Sequence, residues 1–185
     1  MKIKQTKLND CYVIEPIVHG DERGFFLETF HEERYKKLLN IDLNFVQDNH
    51  SRSSKNVLRG IHFQKKHPQG KLVRVVKGEV FDVAVDLRKH SSTFGKWDAV
   101  ILSEDNKQQL WVPPGFGHGF LVLSNEADFE YKCTSYYDPF DEVSIIWNDE
   151  SLNIDWPNIN PIVSEKDQKA KTFNEFFNIQ NDTSL

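Results

Sequence analysis

At 185 residues the chain has the length of one domain. A hydrophobic fraction of 38% against 28% charged residues excludes intrinsic disorder, and no apolar stretch approaches the roughly 18 residues a membrane helix needs. The net charge of -5 argues against nucleic acid as main partner, and two cysteines are too few for a disulfide scaffold, which points to a reducing cytoplasm. Residues 1–14 hold no apolar core of signal-peptide length. Without internal repeats, low-complexity segments or linker-like runs, 1–185 reads as one domain.

The first predicted element is a helix over 32–39. Thr29 and Glu32 have capping-box spacing, and Tyr35, Leu38 and Leu39 recur at helical intervals. From residue 57 the pattern changes to short β-rich runs at 57–63, 71–77, 79–87, 97–102, 108–112, 118–123 and 129–137. Turn-forming clusters such as His67-Pro68-Gln69-Gly70, Lys77-Gly78 and Pro113-Pro114-Gly115 separate them. In 79–87, Phe81, Val83, Val85 and Leu87 share one face while Asp82 and Asp86 take the other. In 129–137, Phe129, Tyr131, Cys133 and Tyr137 alternate with Glu130, Lys132 and Thr134. Short strands with no regular helices between them predict an all-β antiparallel sandwich or barrel. After Pro161, Ser164 and Asp167 are spaced as a helix cap, and Phe173, Phe176 and Phe177 form its candidate apolar stripe. Residues 181–185 are expected to fray.

Chemistry concentrates in four places. Residues 57–83 put Arg59, His62, Gln64, His67, Lys71 and Arg74 on or beside two adjacent strands. On a regular strand, Gly60 and His62 share the core-facing side with Leu58. An imidazole there serves as a general base near neutral pH or as a hydrogen-bonded core residue. Downstream, Pro113-x-Gly115-x-x-His118 leads into an apolar strand, and with the earlier Gly–His strand it resembles the two motifs of the cupin superfamily. Metal-binding cupins place two histidines one residue apart in the first motif. Here His62-Phe63-Gln64 lacks one imidazole, which weakens a metal site. A metal-dependent cupin oxygenase or isomerase using His62, Gln64, His67 or His118 is the alternative to test. Tyr131 and Tyr137 are core aromatics or a buried acid. Asp167 either complements a helix N-terminus or orients a histidine.

Beyond single motifs, ordered blocks run from about Thr6 to Lys171. They are DERGFFLETF (21–30), FVQDNHSRS (45–53), VLRGIHFQ (57–64), PQGKLVRVVKGEVFDVAVDLR (68–88), PPGFGHGFLVLS (113–124), YKCTSYYDP (131–139) and SEKD (164–167). On these blocks the chain resembles the dTDP-4-dehydrorhamnose 3,5-epimerases. The resemblance implies a cupin-like jelly-roll β-sandwich with a few short flanking helices. It also implies a homodimer and catalysis without a metal or nicotinamide cofactor. The implied reaction converts dTDP-4-dehydro-6-deoxy-D-glucose to dTDP-4-dehydro-L-rhamnose through an enolate at carbons 3 and 5. Epimerisation of one carbon of a related nucleotide 4-ketosugar is an alternative, and a non-catalytic sugar-nucleotide-binding cupin is another.

By the family's pattern His62 is the base and Asp167 holds its imidazole. Tyr131 is the acid on the opposite face, and Lys71 stabilises the enolate. Arg23, Arg59 and Lys166 match positions that meet pyrophosphate and sugar groups. Glu28, Gln47, Asp48, Asn49, His118 and Glu142 match further nucleotide or sugar contacts, and Tyr137 sits beside the sugar. The family's N-terminal stretch reaches the partner subunit's pocket, so Arg23 and Glu28 are expected to act in trans. Gly117 stands where the family commonly has alanine.

Overall fold

Alternating apolar residues and tight turns fold the chain into two facing, mainly antiparallel sheets, in a computed structural model that describes residues 1–179. The first sheet runs in the order β1 (Lys2–Gln5), β2 (Tyr12–Glu15), β10 (Gln109–Val112), β7 (Lys71–Lys77), β12 (Glu126–Cys133) and β5 (Gln47–Ser54). The second runs β13 (Glu142–Ser144), β6 (Val57–Gln64), β11 (Phe116–Val122), β8 (Glu79–Asp86) and β9 (Trp97–Ser103), with β14 (Ile162–Val163) parallel beside β6. A separate hairpin joins β3 (Val18–Asp21) to β4 (Gly24–Leu27). This is the expected all-β sandwich.

Three apolar layers hold it. Between the sheets, Val73, Val75, Leu110 and Phe129 meet Val80, Ala84, Phe120 and Val122. Outside the second sheet, Leu58, Ile61, Phe63, Val83 and Val85 pack under Trp156 and Phe173. Outside the first, Ile14, Leu72 and Trp111 are covered by Tyr35 and Leu39 of helix α1 (Glu32–Leu39). Each fully buried large side chain contributes about 1.5–3 kcal/mol. Because β8 is covered on both sides, Asp82 and Asp86, on the face opposite Val83 and Val85, are fully buried rather than solvated.

Several local expectations are corrected. Helix α1 has the expected bounds, but its N-cap is His31, which makes no side-chain cap bond. Thr29 instead accepts hydrogen bonds at its carbonyl from the Tyr35 hydroxyl at 3.0 Å and Gln109 Nε2 at 2.8 Å. After Pro161 there are two helices, α2 (Glu165–Gln168) and α3 (Phe173–Phe177). Between them Lys171 bridges to Ile145 and accepts from the Ile146 N–H at 2.9 Å, which draws the backbone out of helix. Ser164 caps α2 as expected, accepting from the Asp167 N–H, while Thr172 and Glu175 form a capping box on α3. Strand β12 ends at Cys133 because Thr134 turns its hydroxyl to the Gly70 N–H, leaving Tyr137 on a loop. Residues 181–185 lie outside the described residues.

Candidate active site

Residues of both sheets line a cleft of about 350 Å³. From the first sheet, β5 supplies Gln47, Asn49 and Ser51 on one face, β7 supplies Lys71, and β12 supplies Phe129 and Tyr131. The second sheet supplies Arg59 and His62 from β6, His118 and Phe120 from β11, and Glu142 from β13. Tyr137 and Gln69 complete the lining from loops.

Regular alternation would send Arg59 and His62 to opposite faces. The β6–β11 register shifts between His118 and Phe120, which pair with His62 and Arg59. Three steps on β6 therefore match two on β11, and the extra residue returns both polar side chains to the cleft. The expectation that Leu58 shares the face of His62 is corrected by the same shift, since Leu58 packs in the outer layer with Ile61 and Phe63.

His62 Nε2 lies 2.6 Å from Asp167 Oδ1. The Asp167 side chain is 4% exposed and that of His62 27%, so the carboxylate is sealed while the imidazole meets the cleft. Burial alone would raise the Asp167 pKa. The hydrogen bond and charge of His62, with bonds from Ser164 and the Gly60 backbone, outweigh it and hold the carboxyl below its usual value. Ser144 Oγ lies a further 3.5 Å from the same oxygen.

Tyr131 comes from the facing sheet. Burial pushes its phenol up to about 12, aided by the nearby Cys133 and Glu142, so it stays protonated and able to donate at neutral pH. Burial draws the Lys71 ammonium below its ordinary value, although Cys133, Glu142 and Asp82 counter this. Arg59 Nε donates to Ser53 Oγ at 3.0 Å, and among the described residues Arg59 has no ion-pair partner. A guanidinium without a carboxylate at a cleft wall suits an anionic ligand group.

The rim is bonded together. Gln47 Nε2 donates to Asn49 Oδ1 at 2.9 Å, Gln47 Oε1 accepts from the Tyr137 N–H at 2.8 Å, and Asn49 Nδ2 donates to Cys133 Sγ at 3.6 Å. The Tyr137 hydroxyl reaches Glu142 Oε2 at 3.3 Å, and Lys166 forms an ion pair with that carboxylate.

A family model described as dTDP-4-dehydrorhamnose 3,5-epimerase matches residues 5–175. The chain belongs to this family. The dTDP-4-dehydrorhamnose 3,5-epimerase of Escherichia coli (strain K12) is 52% identical over 182 residues, covering 97% of this chain and 98% of that protein. The crystal structure of the Legionella pneumophila dTDP-6-deoxy-D-glucose-3,5-epimerase, in complex with dTDP-4-keto-L-rhamnose, matches with a TM-score of 0.91 at 56% identity. It covers 94% of this chain and 93% of that one. The epimerase structure from Elizabethkingia anophelis matches with a TM-score of 0.91 at 51% identity, over 95% and 97% of the two chains.

Of the residues to which the family's pattern points, His62, Tyr131, Lys71, Arg59, Gln47, Asn49, His118, Tyr137 and Glu142 line one cleft. Asp167 and Lys166 adjoin it through His62 and Glu142. Three stand elsewhere within this subunit. Asp48 takes the opposite face of β5 from Gln47 and Asn49 and pairs with Lys132 at 2.9 Å, so it does not line this cleft. Arg23 sits at the tip of the β3–β4 hairpin with Asp21, and Glu28 pairs with Arg34 at 2.9 Å. The metal-site alternative loses Gln64 as a donor. Gln64 spends its amide on the backbones of His67, Tyr136 and Asp138, and His118 binds Asp82. Among the described residues, no group of three or more His, Cys, Asp or Glu side chains could hold a metal ion.

Sequence reasoning passed over Ser53, Ser144 and Asp82 as site residues. Alternation had already put Asp82 opposite the apolar face of β8, but nothing in the sequence named its partner. A Cβ at Gly117 would lie 2.5 Å from Ile61 Cγ2 and 3.1 Å from Leu87 Cδ1. Ile61 and Leu87 thus already occupy the space an alanine methyl would take.

Proposed function

We propose that the chain converts dTDP-4-dehydro-6-deoxy-D-glucose to dTDP-4-dehydro-L-rhamnose by proton abstraction and return at carbons 3 and 5. The observation that carries this reading is the placement of His62, backed by Asp167, and Tyr131 on opposite sheets of one cleft that also holds Lys71. Both carbons flank the carbon-4 ketone, so loss of either proton gives an enolate whose charge rests on the ketone oxygen. His62 takes the proton at the imidazole nitrogen not bonded to Asp167, and the carboxylate stabilises the resulting imidazolium. Tyr131 returns a proton from its hydroxyl to the other face of the sugar, which inverts the carbon. The Lys71 ammonium stabilises the enolate oxygen, a preorganised effect worth about 3 kcal/mol. Arg59 meets the pyrophosphate, Tyr137 and Glu142 meet the sugar, and Lys166, held by Glu142, meets an anionic oxygen at the rim. No step needs a redox or metal cofactor, because each moves only a proton.

The active species in this reading is a homodimer in the cytoplasm. The β3–β4 hairpin exposes Val18, Phe25 and Phe26, and Ile17 beside it, an apolar surface fit for a second copy. Passing there, it would carry Arg23 and Glu28 to the partner's cleft. Both cysteines are free, and among the described residues no helix is long and apolar enough to cross a membrane.

Proton NMR of the protein with dTDP-4-dehydro-6-deoxy-D-glucose in deuterium oxide tests the reading. Exchange at both carbons, with a downstream reductase trapping dTDP-L-rhamnose, is the expected result. Exchange at one carbon assigns a single epimerisation, and exchange at neither overturns the proposal.

A further inference from the structure

The loop 134–141 carries the chain from the end of β12 in the first sheet to the start of β13 in the second, with Tyr137 in its middle, outside any helix or strand. Tyr137 is 50% exposed, so packing does little to fix it, yet its backbone is gripped from both sheets. Gln64, the last residue of β6, donates from Nε2 to the Tyr136 carbonyl at 3.2 Å and accepts at Oε1 from the Asp138 N–H at 2.8 Å. Gln47, the first residue of β5, accepts from the Tyr137 N–H at 2.8 Å. Of the four polar groups on the two peptide bonds that flank Tyr137, two glutamine side chains thus bind three.

The two glutamines are not equivalent. Gln47 lines the cleft, whereas Gln64 does not and is 4% exposed. Gln64 Nε2 also donates to the His67 carbonyl at 2.8 Å, so both donors of the amide and its acceptor oxygen are in use on backbone. The His67 bond ties the amide to the 65–70 segment, where the Lys66 and His67 N–H groups are held by the Asp141 carboxylate. A buried amide bonded in this way keeps one orientation, because any other would strand a polar group. A neutral imidazole offers one donor and one acceptor, and a carboxylate no donor, so neither could make the same three bonds. At the far end of the residue the Tyr137 hydroxyl reaches Glu142 Oε2, which holds the ring at both ends along the cleft wall.

We propose that Gln64 is a positioning residue for substrate binding, whose amide sets the place of the Tyr137 ring at the cleft wall without touching the substrate. The inference rests on the epimerase reading above and gives this buried amide the task of preorganising that wall. Tyr137 meets the substrate alike before and during proton transfer. Loss of the clamp therefore removes uniform binding and raises KM, while His62, Tyr131 and Lys71 sustain kcat.

Amide hydrogen exchange on the wild-type protein tests the clamp without any variant. The Tyr137 and Asp138 amides, although in an exposed loop, are expected to exchange about 100-fold more slowly than an unstructured chain, and unprotected amides would overturn the proposal. Gln64→Met keeps the length of the side chain and removes all three bonds. It is expected to raise KM for dTDP-4-dehydro-6-deoxy-D-glucose about tenfold, with kcat within about twofold of wild type. In a Tyr137→Ala background the same substitution should leave KM unchanged, since the clamp then has no ring to hold. Effects on KM that add in the double variant, a fall in kcat at constant KM, or a loss of thermal stability alone would each overturn the assignment. Failure of the epimerase reading is distinguishable, because wild-type protein would then leave both sugar carbons unexchanged whatever the amide protection shows.

Discussion

Arg59 and His62 are three residues apart on one strand and nevertheless face the same cleft. The extra residue that makes this possible is taken up around Gly60, whose φ is +132°, a conformation that side chains disfavour. A Cβ there would also lie 2.5 Å from Gly119 Cα and 2.9 Å from the His118 carbonyl oxygen. Gly60→Ala therefore combines backbone strain with a clash against the neighbouring strand. It is expected to destabilise the protein by about 2 kcal/mol or more and to cut turnover in the fraction that folds. Urea unfolding and exchange rates on the same preparation check both. Wild-type stability would show that the kink does not depend on glycine.

The central strands were legible because their apolar residues alternate, and the bounds 71–77 and 32–39 coincide with β7 and α1. Strand β5, Gln47-Asp48-Asn49-His50-Ser51-Arg52-Ser53-Ser54, was not, because it carries no apolar residue and is a strand only through its ladder with β12. The site was legible through family blocks more than through chemistry. His62 and Asp167 are 105 positions apart, and only the fold brings them to 2.6 Å. The face of His62 was misjudged because a bulge cannot be read from period two.

Removing the carboxylate behind His62 separates orientation from basicity. In Asp167→Asn the imidazole loses its charged partner but keeps a neighbour of the same size. The expected result is a fall in kcat of about 100-fold or more at both carbons, with binding of a dTDP-sugar analogue largely preserved. Analogue titration and deuterium exchange measure the two effects. Equal loss of binding and turnover would place Asp167 in structure alone.

Base and acid should also separate at the level of single proton events. His62→Ala is expected to abolish exchange at both carbons. Tyr131→Phe leaves the base in place, so some solvent deuterium should still enter while inverted product falls about 100-fold. The ratio of exchange to inversion, read by NMR, is the measurement. A parallel loss of both in Tyr131→Phe would mean that the phenol is needed to form the enolate.

Mixing inactive variants tests the trans role of the hairpin. Arg23→Ala and His62→Ala subunits are each expected to be inactive as homodimers. If Arg23 serves the partner's cleft, each mixed dimer contains one site with both lesions and one with neither. Random pairing then restores about a quarter of wild-type activity. No recovery after mixing and refolding would assign Arg23 to its own subunit or to no site.

The pH profile should have its alkaline limb set by Lys71 and not by Tyr131. Both groups act in their protonated forms. Burial lowers the Lys71 pKa below its ordinary 10.5 and raises that of Tyr131 to about 12. As pH rises, the ammonium is therefore lost first, and with it the charge that stabilises the enolate. On the acid side, protonating Asp167 removes the charge that holds the imidazole, and its lowered pKa puts that loss below the usual 3.8. kcat/KM is expected to be bell-shaped, with its upper limb below 10.5. In Lys71→Arg, whose guanidinium does not titrate in this range, that limb should move upward even if the maximum rate drops. An upper limb that stays in place in Lys71→Arg would transfer it to another group and remove Lys71 from the enolate's oxygen.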